Sequence, residues 1–473
     1  MKIKYLKYIK YTLALTLITS VYSCQKLVEG INDNPNQLTV NAFDAGLFLK
    51  GAQLSNMLIQ LGELQRAAGF FSSTFIAFEQ LEGDRYNYSI SERDFDLAGY
   101  QSVLTPLRHI RDEKPDNKLY QGIAKVVEAH LMGTYASLFG DLPYSEALNP
   151  EFKNPVFDQQ ADIFAALQVL LDGAIADLEN VTPADAVMGD YIFGGNALKW
   201  KESAYTLKAR YYMHTKEYAL AYSAAGNGIS SAANSMMFVP YNDAANNPDS
   251  KNVINSRIAM GSDPVGTVAD ATHPCYILDL ISLRQNAKTN EEARLAYLTI
   301  DSYEADLNHG VAARLEPQSL ITYEENQLIL AEAGGRTAGL TAGLSHLNAL
   351  RNVLSTGATL NASVVGLGMQ YDAYDAADFN PGGIENQDNI DALRAFLREV
   401  VEERYICGFY TFMPFDDNRR LQKNDADLMV PFPFNTPTQS QHVQRLVYPD
   451  DEMNANENAP ADPGAYQPTD VNF

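Results

Sequence analysis

The chain has 473 residues and is strongly acidic, with 59 aspartates and glutamates against 35 lysines and arginines and a formal net charge of −24. Nucleic-acid-binding proteins present basic patches to phosphates, so this charge argues against DNA or RNA as a partner, and it also disfavours a body lying flat on anionic lipid. The hydrophobic content of 46% is normal for a globular protein with a substantial core.

The first 23 residues have the pattern of a secretory signal. Four lysines among the first ten residues precede an apolar stretch over 13–21, which is shorter than the roughly 20 residues that span a bilayer. Val21-Tyr22-Ser23-Cys24 resembles a bacterial lipobox, in which the cysteine is acylated and becomes the mature N-terminus. An ordinary signal peptide with a chance cysteine is the alternative. We expect residues 1–23 to be removed, Cys24 to carry lipid that anchors the protein to a membrane, and residues 24–40 to form a tether.

Helical periodicity dominates residues 41–473, for which we expect a single domain. One predicted helix is marked by Leu54, Leu58, Leu61 and Leu64. The other predicted helical segments are 118–139, 161–179, 197–231 (with a link around His214–Glu217), Tyr323–Arg336, Ala342–Val353 and 388–411. In 197–231 large aromatics and alanines occupy two helix faces, which indicates helices sandwiched between neighbours in tetratricopeptide-like pairs, with Trp200 in the core. The predicted fold class is therefore all-α dominated, with tetratricopeptide-like helix pairs as the scaffold and long loop-rich insertions.

Two loop-rich insertions, 233–316 and 355–387, interrupt the helical pattern, and long loops in a compact body usually carry function or are disordered. The best local candidate for ligand binding is Glu79–Asp96, where Tyr86 and Tyr88 alternate with Arg85 and Asn87. In an extended segment this alternation puts both rings on one side, where they could stack on sugar faces while polar neighbours bind hydroxyls. The alternative is that both tyrosines pack on the scaffold.

A second candidate for ligand binding is the Met369–Asn380 loop, which carries Tyr371 and Tyr374. The acidic stretch Asp372–Asp378 in the same loop lacks the spacing of an EF-hand, so solvated acids are favoured over a calcium site.

Signals for catalysis or cofactors are poor. The sequence has no Gly-x-Ser-x-Gly, His-Glu-x-x-His or Walker pattern, and no Cys/His spacing typical of a metal site. We expect no enzyme activity, no cofactor and no metal. Cys275 and Cys407 could pair in an oxidising compartment or stay buried and free. Carboxylate doublets at 402–403 and 416–417 stand near arginines at 404, 419 and 420 and are interpreted as ion pairs that fix the C-terminal part of the chain.

Four segments in order carry a family resemblance that extends over essentially the whole chain. They are Asn32-Asp33-Asn34-Pro35-Asn36, Phe139-Gly140-Asp141-Leu142-Pro143-Tyr144-Ser145-Glu146-Ala147-Leu148, the helix Tyr323–Ala333 ending in Ala-Glu-Ala, and Glu402-Glu403-Arg404-Tyr405 followed by Phe409 and Arg419-Arg420. Together with the lipobox they resemble SusD/RagB-type nutrient-binding outer-membrane lipoproteins of Bacteroidota.

The resemblance implies a SusD-like fold, in which loops on a tetratricopeptide-like scaffold build the ligand face, with contacts in the region after the first helices. It also implies a place on the outer membrane at the cell surface and a SusC-type TonB-dependent transporter as partner. The ligand is left open. Oligosaccharide capture is our first hypothesis and oligopeptide capture the alternative, ahead of a surface glycoside hydrolase or a purely structural adaptor.

Overall fold

The computed structural model describes residues 44–241, 250–261 and 264–472, and helices dominate this part of the chain. The helices are α1 (Ala45–Leu61), α2 (Glu63–Phe71), α3 (Gln80–Tyr86), α4 (Thr105–Glu113), α5 (Lys118–Phe139), α6 (Gln160–Glu179), α7 (Ala197–His214), α8 (Tyr218–Ala225), α9 (Val253–Met260), α10 (Ile277–Leu283), α11 (Glu292–Leu298), α12 (Tyr323–Ala338), α13 (Leu340–Leu354), α14 (Ala392–Cys407), α15 (Met413–Leu421) and α16 (Asp450–Ala455). Within the same described ranges, three antiparallel two-stranded sheets pair β1 (Ile76–Ala77) with β3 (Val265–Gly266), β2 (Met236–Phe238) with β5 (Gln318–Ile321), and β4 (Thr289–Asn290) with β6 (Gln370–Tyr371). The helix-dominated fold class is confirmed.

Residues Gly46–Phe473 form one compact unit. The predicted signal peptide over 1–23, the lipidation site Cys24 and the tether over 24–40 lie outside the described residues, so the domain boundaries remain predictions.

Local sequence signals set the ends of α5, the longest helix in the described part of the chain. At its start the Asn117 side chain accepts a hydrogen bond from the backbone N–H of Tyr120 at 2.9 Å, which satisfies one of the free N–H groups of the first turn. At its end Gly140 has φ +85°, a conformation that residues with a Cβ rarely adopt. The helix therefore has the bounds predicted for it.

The predicted packing of aromatics on alanines is found where α7, α8 and α12 meet. Their shared core is made mostly of small side chains, with three tyrosines packed against it: Ala209, Met213, Ala221, Ala224, Ala225, Ile329, Leu330 and Ala333, with Tyr212, Tyr218 and Tyr222. Trp200 is fully buried, as predicted, and its indole N–H donates to Asp190 at 2.8 Å. Small residues let the helices approach closely, which gives the scaffold its tetratricopeptide-like character.

Some element predictions are wrong in detail. The leucine pattern over 54–64 is two helices rather than one, because the chain breaks at Gly62. The second helix of the 197–231 pair ends at Ala225, before Ile229. The insertion 233–316 contains the short helices α9, α10 and α11 between its loops.

The predicted ion pairs of the 416–417 doublet are present and buried. Glu403 of the 402–403 doublet pairs instead with Arg284 and Arg294 of the 233–316 insertion. Glu332 of α12 accepts two hydrogen bonds from the Arg420 guanidinium, at 2.7 and 2.5 Å. Asp417 in turn accepts hydrogen bonds from both Arg420, at 2.7 Å, and Arg404, at 2.6 Å. The Ala-Glu-Ala, Glu-Arg and Arg-Arg segments therefore form one network that ties α12, α14 and α15 together, and their role is to hold the scaffold.

Candidate functional site

Three aromatic side chains from three separate segments meet at the protein surface. The ring centroid of Phe78 lies 4.5 Å from that of His273, at an interplanar angle of 62°, and 5.5 Å from that of Tyr303. Tyr303 is 59% exposed, whereas Phe78 is half-buried. We call Phe78, His273 and Tyr303 the aromatic cluster.

Short backbone pairings bring these distant segments together. Phe78 directly follows β1, whose residues Ile76 and Ala77 pair with β3. Just after β3, the Thr267 hydroxyl donates to the carbonyl of Leu298 at 2.8 Å and accepts from the N–H of Ile300 at the same distance. The segment that carries Tyr303 is therefore attached to β3, and β3 is attached to the segment that carries Phe78.

The approach of the segments requires a glycine. A Cβ built on Gly266 would lie 2.1 Å from the Ser302 hydroxyl oxygen, a separation that real side chains do not tolerate. Glycine in a strand often marks such a close backbone approach. Gly266 thus lets the Tyr303 segment lie directly against β3.

The loop that carries His273 is held by Asp270. The Asp270 carboxylate accepts hydrogen bonds from the backbone N–H groups of Thr272 at 2.7 Å and His273 at 2.8 Å, and from the imidazole at 2.9 Å. These bonds, foremost that from the Thr272 N–H, hold the pKa of Asp270 well below its usual value. An ionised Asp270 therefore fixes the position of the imidazole in the cluster.

Tyr86, a residue predicted to bind ligand, lies underneath the cluster. Its side chain is fully buried, its ring centroid is 5.8 Å from that of His273, and its hydroxyl donates to the carbonyl of Pro274 at 2.8 Å. Tyr86 therefore supports the cluster from below, and the exposed ring face belongs to Tyr303.

The cluster has the chemistry of a carbohydrate platform. Flat rings present apolar faces on which the C–H side of a sugar ring can stack. Exposed acids on the same segments, Glu79 before α3 and Asp301 and Glu304 around Tyr303, supply acceptors for sugar hydroxyls. A few polar groups around an apolar surface are the usual composition of a small-molecule site.

The other residues predicted from the Glu79–Asp96 segment have mainly structural contacts. The expectation of an extended segment is wrong, because 80–86 is the helix α3 and Asn87 caps its end, donating to the Gly83 carbonyl at 2.8 Å. Arg85 is buried and pairs with Glu63 at 3.2 Å. Tyr88 stacks on Phe71 at 6.1 Å, and burial raises its pKa to about 12.

Tyr371 and Tyr374 are also buried, at 6% and 3% exposure. The Arg351 guanidinium lies 3.8 Å from the ring centroid of Tyr374, and the Tyr371 hydroxyl donates to Glu291 at 3.2 Å. These two tyrosines come together around Arg351, and within the described residues no hydrogen bond or ring contact joins them to Arg85, Tyr86, Asn87 or Tyr88.

Sequence reasoning missed all three members of the aromatic cluster. Phe78 stands one residue before the candidate segment Glu79–Asp96, and His273 and Tyr303 lie in the 233–316 insertion, for which both function and disorder were left open. Their convergence depends on the pairing of β1 with β3 and of Thr267 with Ile300, which no local pattern reveals.

No helix in the described ranges is both long and apolar enough to cross a membrane. Within the same residues, no group of three or more His, Cys, Asp or Glu side chains is arranged to hold a metal ion.

Comparisons with known proteins agree with this architecture. A SusD/RagB family protein of Bacteroides thetaiotaomicron superposes with a TM-score of 0.65 at 18% identity, covering 88% of this chain and 95% of that one. A SusD homologue from Bacteroides fragilis gives a TM-score of 0.63 at 18% identity, covering 91% and 100%. A structure described as a chitin-binding protein gives 0.54 at 17% identity, covering 88% and 94%.

At these identities the solved structures establish the fold alone, and no curated protein sequence matches the chain significantly. The family model SusD-like_2, described as "Starch-binding associating with outer membrane", matches residues 35–348, well over half of the chain. The expected resemblance is therefore confirmed: the chain belongs to the SusD-like family of outer-membrane-associated binding proteins.

Proposed function

We propose that this protein is a non-catalytic binding lipoprotein of the cell surface, which captures oligosaccharides on the aromatic cluster and delivers them to a SusC-type TonB-dependent transporter in the outer membrane. Lipid on Cys24 anchors it, and the acidic body stays off the anionic membrane surface. Membership of a family described as starch-binding and associating with the outer membrane supports the location and the ligand class.

The observation that carries the proposal is the exposed ring of Tyr303, which packs against Phe78, itself in contact with His273. A tyrosine that is 59% exposed and packs on Phe78 offers a flat apolar face to solvent. Such a face suits a pyranose ring better than an extended peptide, whose recognition depends on main-chain hydrogen bonds at a sheet edge or on side-chain pockets. One structural relative is described as chitin-binding, which extends the ligand panel to amino-sugar polymers.

The experiment is calorimetric titration of the soluble protein starting at Gln25. Its panel contains starch-derived oligosaccharides, chitin oligosaccharides, other plant and host glycans, and a mixed oligopeptide pool. We expect one glycan class to bind and Tyr303→Ala to weaken that binding at least about tenfold, a loss of about 1.4 kcal/mol. Tyr303→Phe keeps the ring and should bind nearly as the wild type does.

Tyr466→Ala is the matched control, because Tyr466 is an exposed tyrosine outside the cluster. If Tyr303→Ala leaves glycan binding unchanged, the aromatic cluster is not the binding site, although the proposed capture of oligosaccharides would stand. Binding of peptides alone would replace oligosaccharide by oligopeptide as the ligand, and release of shortened glycan during the titration would mean that the protein is a hydrolase.

A further inference from the structure

A small cavity of 40 Å³ lies where α5, α7, β5 and α15 meet, and it shares no wall residue with the aromatic cluster. Each of the four elements contributes a polar side chain to its wall, in that order Thr134, His214, Ser319 and Asp416. Thr134, His214 and Asp416 are all buried. A water molecule needs about 10–15 Å³ of cavity volume, so there is room for about two or three waters. The cavity is too small for a sugar.

The arginines in the cavity wall are already paired with carboxylates. Arg210 donates two hydrogen bonds to Glu325, at 2.6 and 2.7 Å. Arg404 and Arg420 both donate to Asp417, in the buried network that joins α12, α14 and α15. An ion entering the cavity would be desolvated without finding an uncompensated opposite charge. The wall therefore favours an occupant that is neutral as well as small.

The imidazole of His214 has unmet hydrogen-bonding capacity within the described part of the chain. Its ring packs on Phe164 with centroids 5.6 Å apart, and its Nε2 lies 3.8 Å from Oδ2 of Asp416, which is beyond hydrogen-bond distance. Burial lowers the pKa of His214 to about 4, so at neutral pH the ring has one donor and one acceptor nitrogen. An ionised carboxylate can only accept, so the acceptor nitrogen needs a hydrogen from another group.

The other polar groups of the wall can bind water as well. The Ser319 hydroxyl has no hydrogen-bond partner in the described ranges. The Thr134 hydroxyl donates to Gln60 at 3.0 Å and can still accept. Asp416 accepts from the Ser137 hydroxyl at 2.7 Å through Oδ1, so that Oδ2 can accept from a further donor. A buried water typically has two to four polar partners, and the imidazole and these three groups supply them.

We propose that this cavity is an internal hydration site, in which about two or three ordered waters bridge His214, Asp416 and Ser319. One water donates to the acceptor nitrogen of the imidazole, and the waters together join the carboxylate to the serine hydroxyl. Such bridges are enthalpically nearly as favourable as direct hydrogen bonds. The waters complete the contact of α7 with α15 and β5 and are therefore part of the scaffold. The site does not depend on glycan capture at the aromatic cluster.

Crystal structures of the soluble chain starting at Gln25 test the site, at a resolution that shows ordered waters. The wild-type map should contain about two or three water peaks in the cavity, one of them within hydrogen-bond distance of the His214 ring. His214→Phe keeps a flat ring against Phe164 but has no ring nitrogen, so the water bound to the imidazole should be lost. Ser319→Ala deletes one hydroxyl and should lose or displace the water on the β5 side.

The matched control is His346→Phe, because the His346 ring lies 3.3 Å from the Tyr222 hydroxyl, outside the cavity, and this variant should keep every cavity water. Magnetic relaxation dispersion of water oxygen counts long-lived internal waters in solution, and His214→Phe should lower that count relative to the wild type and the control. A wild-type cavity without water peaks, or one that holds an ion, would overturn the proposal. Waters that stay unchanged in both His214→Phe and Ser319→Ala would also overturn it.

Discussion

Replacing Glu332 by glutamine removes the charge at the centre of the buried network that joins α12 to α15. Glu332 is fully buried, accepts two hydrogen bonds from Arg420, and lies 3.0 Å from Arg336. Glutamine has nearly the same volume but can accept at only one oxygen, so part of the Arg420 charge stays buried without compensation. Breaking a buried pair from one side costs about 3–5 kcal/mol, and because Arg420 keeps its bond to Asp417 we expect about 3 kcal/mol.

Urea unfolding at neutral pH, followed by far-ultraviolet circular dichroism, measures this loss. The matched control is Arg93→Gln, which breaks the exposed Arg93–Asp450 pair, with side chains 86% and 40% exposed, and should cost less than about 1 kcal/mol. The arginines also hold the pKa of Glu332 below its usual value of 4.5. A carboxyl whose pKa is lowered by folding stabilises the folded state at pH values above its unfolded pKa, and this contribution is lost as pH falls. Wild type should therefore lose stability below about pH 4.5 more steeply than Glu332→Gln. A loss under about 1 kcal/mol in Glu332→Gln, equal to the control, would refute the assignment of this network as the main clamp of the scaffold.

Three further changes test other parts of the reasoning. Gly133→Ala would put a Cβ 2.2 Å from the buried Tyr211 ring, and we expect overpacking to cost about 1–3 kcal/mol in urea unfolding. Burial raises the pKa of Glu399, which shares Arg284 with Glu403. A carboxyl whose pKa is raised by folding contributes stability that is lost as pH rises above its unfolded value of 4.5. Glu399→Gln should therefore flatten that decline in a pH series of melts, and an unchanged slope would contradict the assignment. Cys24→Ala should move the protein from the membrane fraction to the soluble fraction, whereas Cys275→Ala should leave it membrane-bound; retention of both variants would exclude lipidation at Cys24.

The scaffold could be predicted from sequence because its determinants are local. The α5 boundaries follow from an N-cap asparagine and a glycine that accepts positive φ, and the helix pairs follow from the period of the apolar residues. The segment around Tyr86 shows where local pattern fails. Alternating polar and aromatic residues suggested an extended strand, but Arg85 is buried with Glu82 at 3.6 Å, one helical turn away, and tertiary burial decides the conformation.

The candidate site could not be predicted because its members meet only through contacts of long sequence separation. Phe78 and Tyr303 approach each other through the β1–β3 pair and the Thr267 hydroxyl, each a contact of a few hydrogen bonds between distant segments. The sequence around Tyr303 does not predict which segment of the folded chain this side chain will contact. Residue types suggested candidate sites at 79–96 and 369–380, but they did not predict that Phe78, His273 and Tyr303 would meet.

The helical scaffold and the loops are expected to contribute differently to stability and to ligand specificity. The paired helices bury their faces against one another, as Trp200 and Tyr211 show, so a change there alters stability before it alters recognition. Tyr303 contacts Phe78 on one side and solvent on the other, and its segment is attached by contacts that do not involve its ring. We therefore expect substitution at Tyr303 to alter the proposed ligand binding without disturbing the fold. Tyr86 lies beneath the same cluster and holds the His273 loop through the Pro274 carbonyl. In our proposal the ligand class therefore depends on a few exposed side chains on the loops, while the helices form the scaffold from which those loops project.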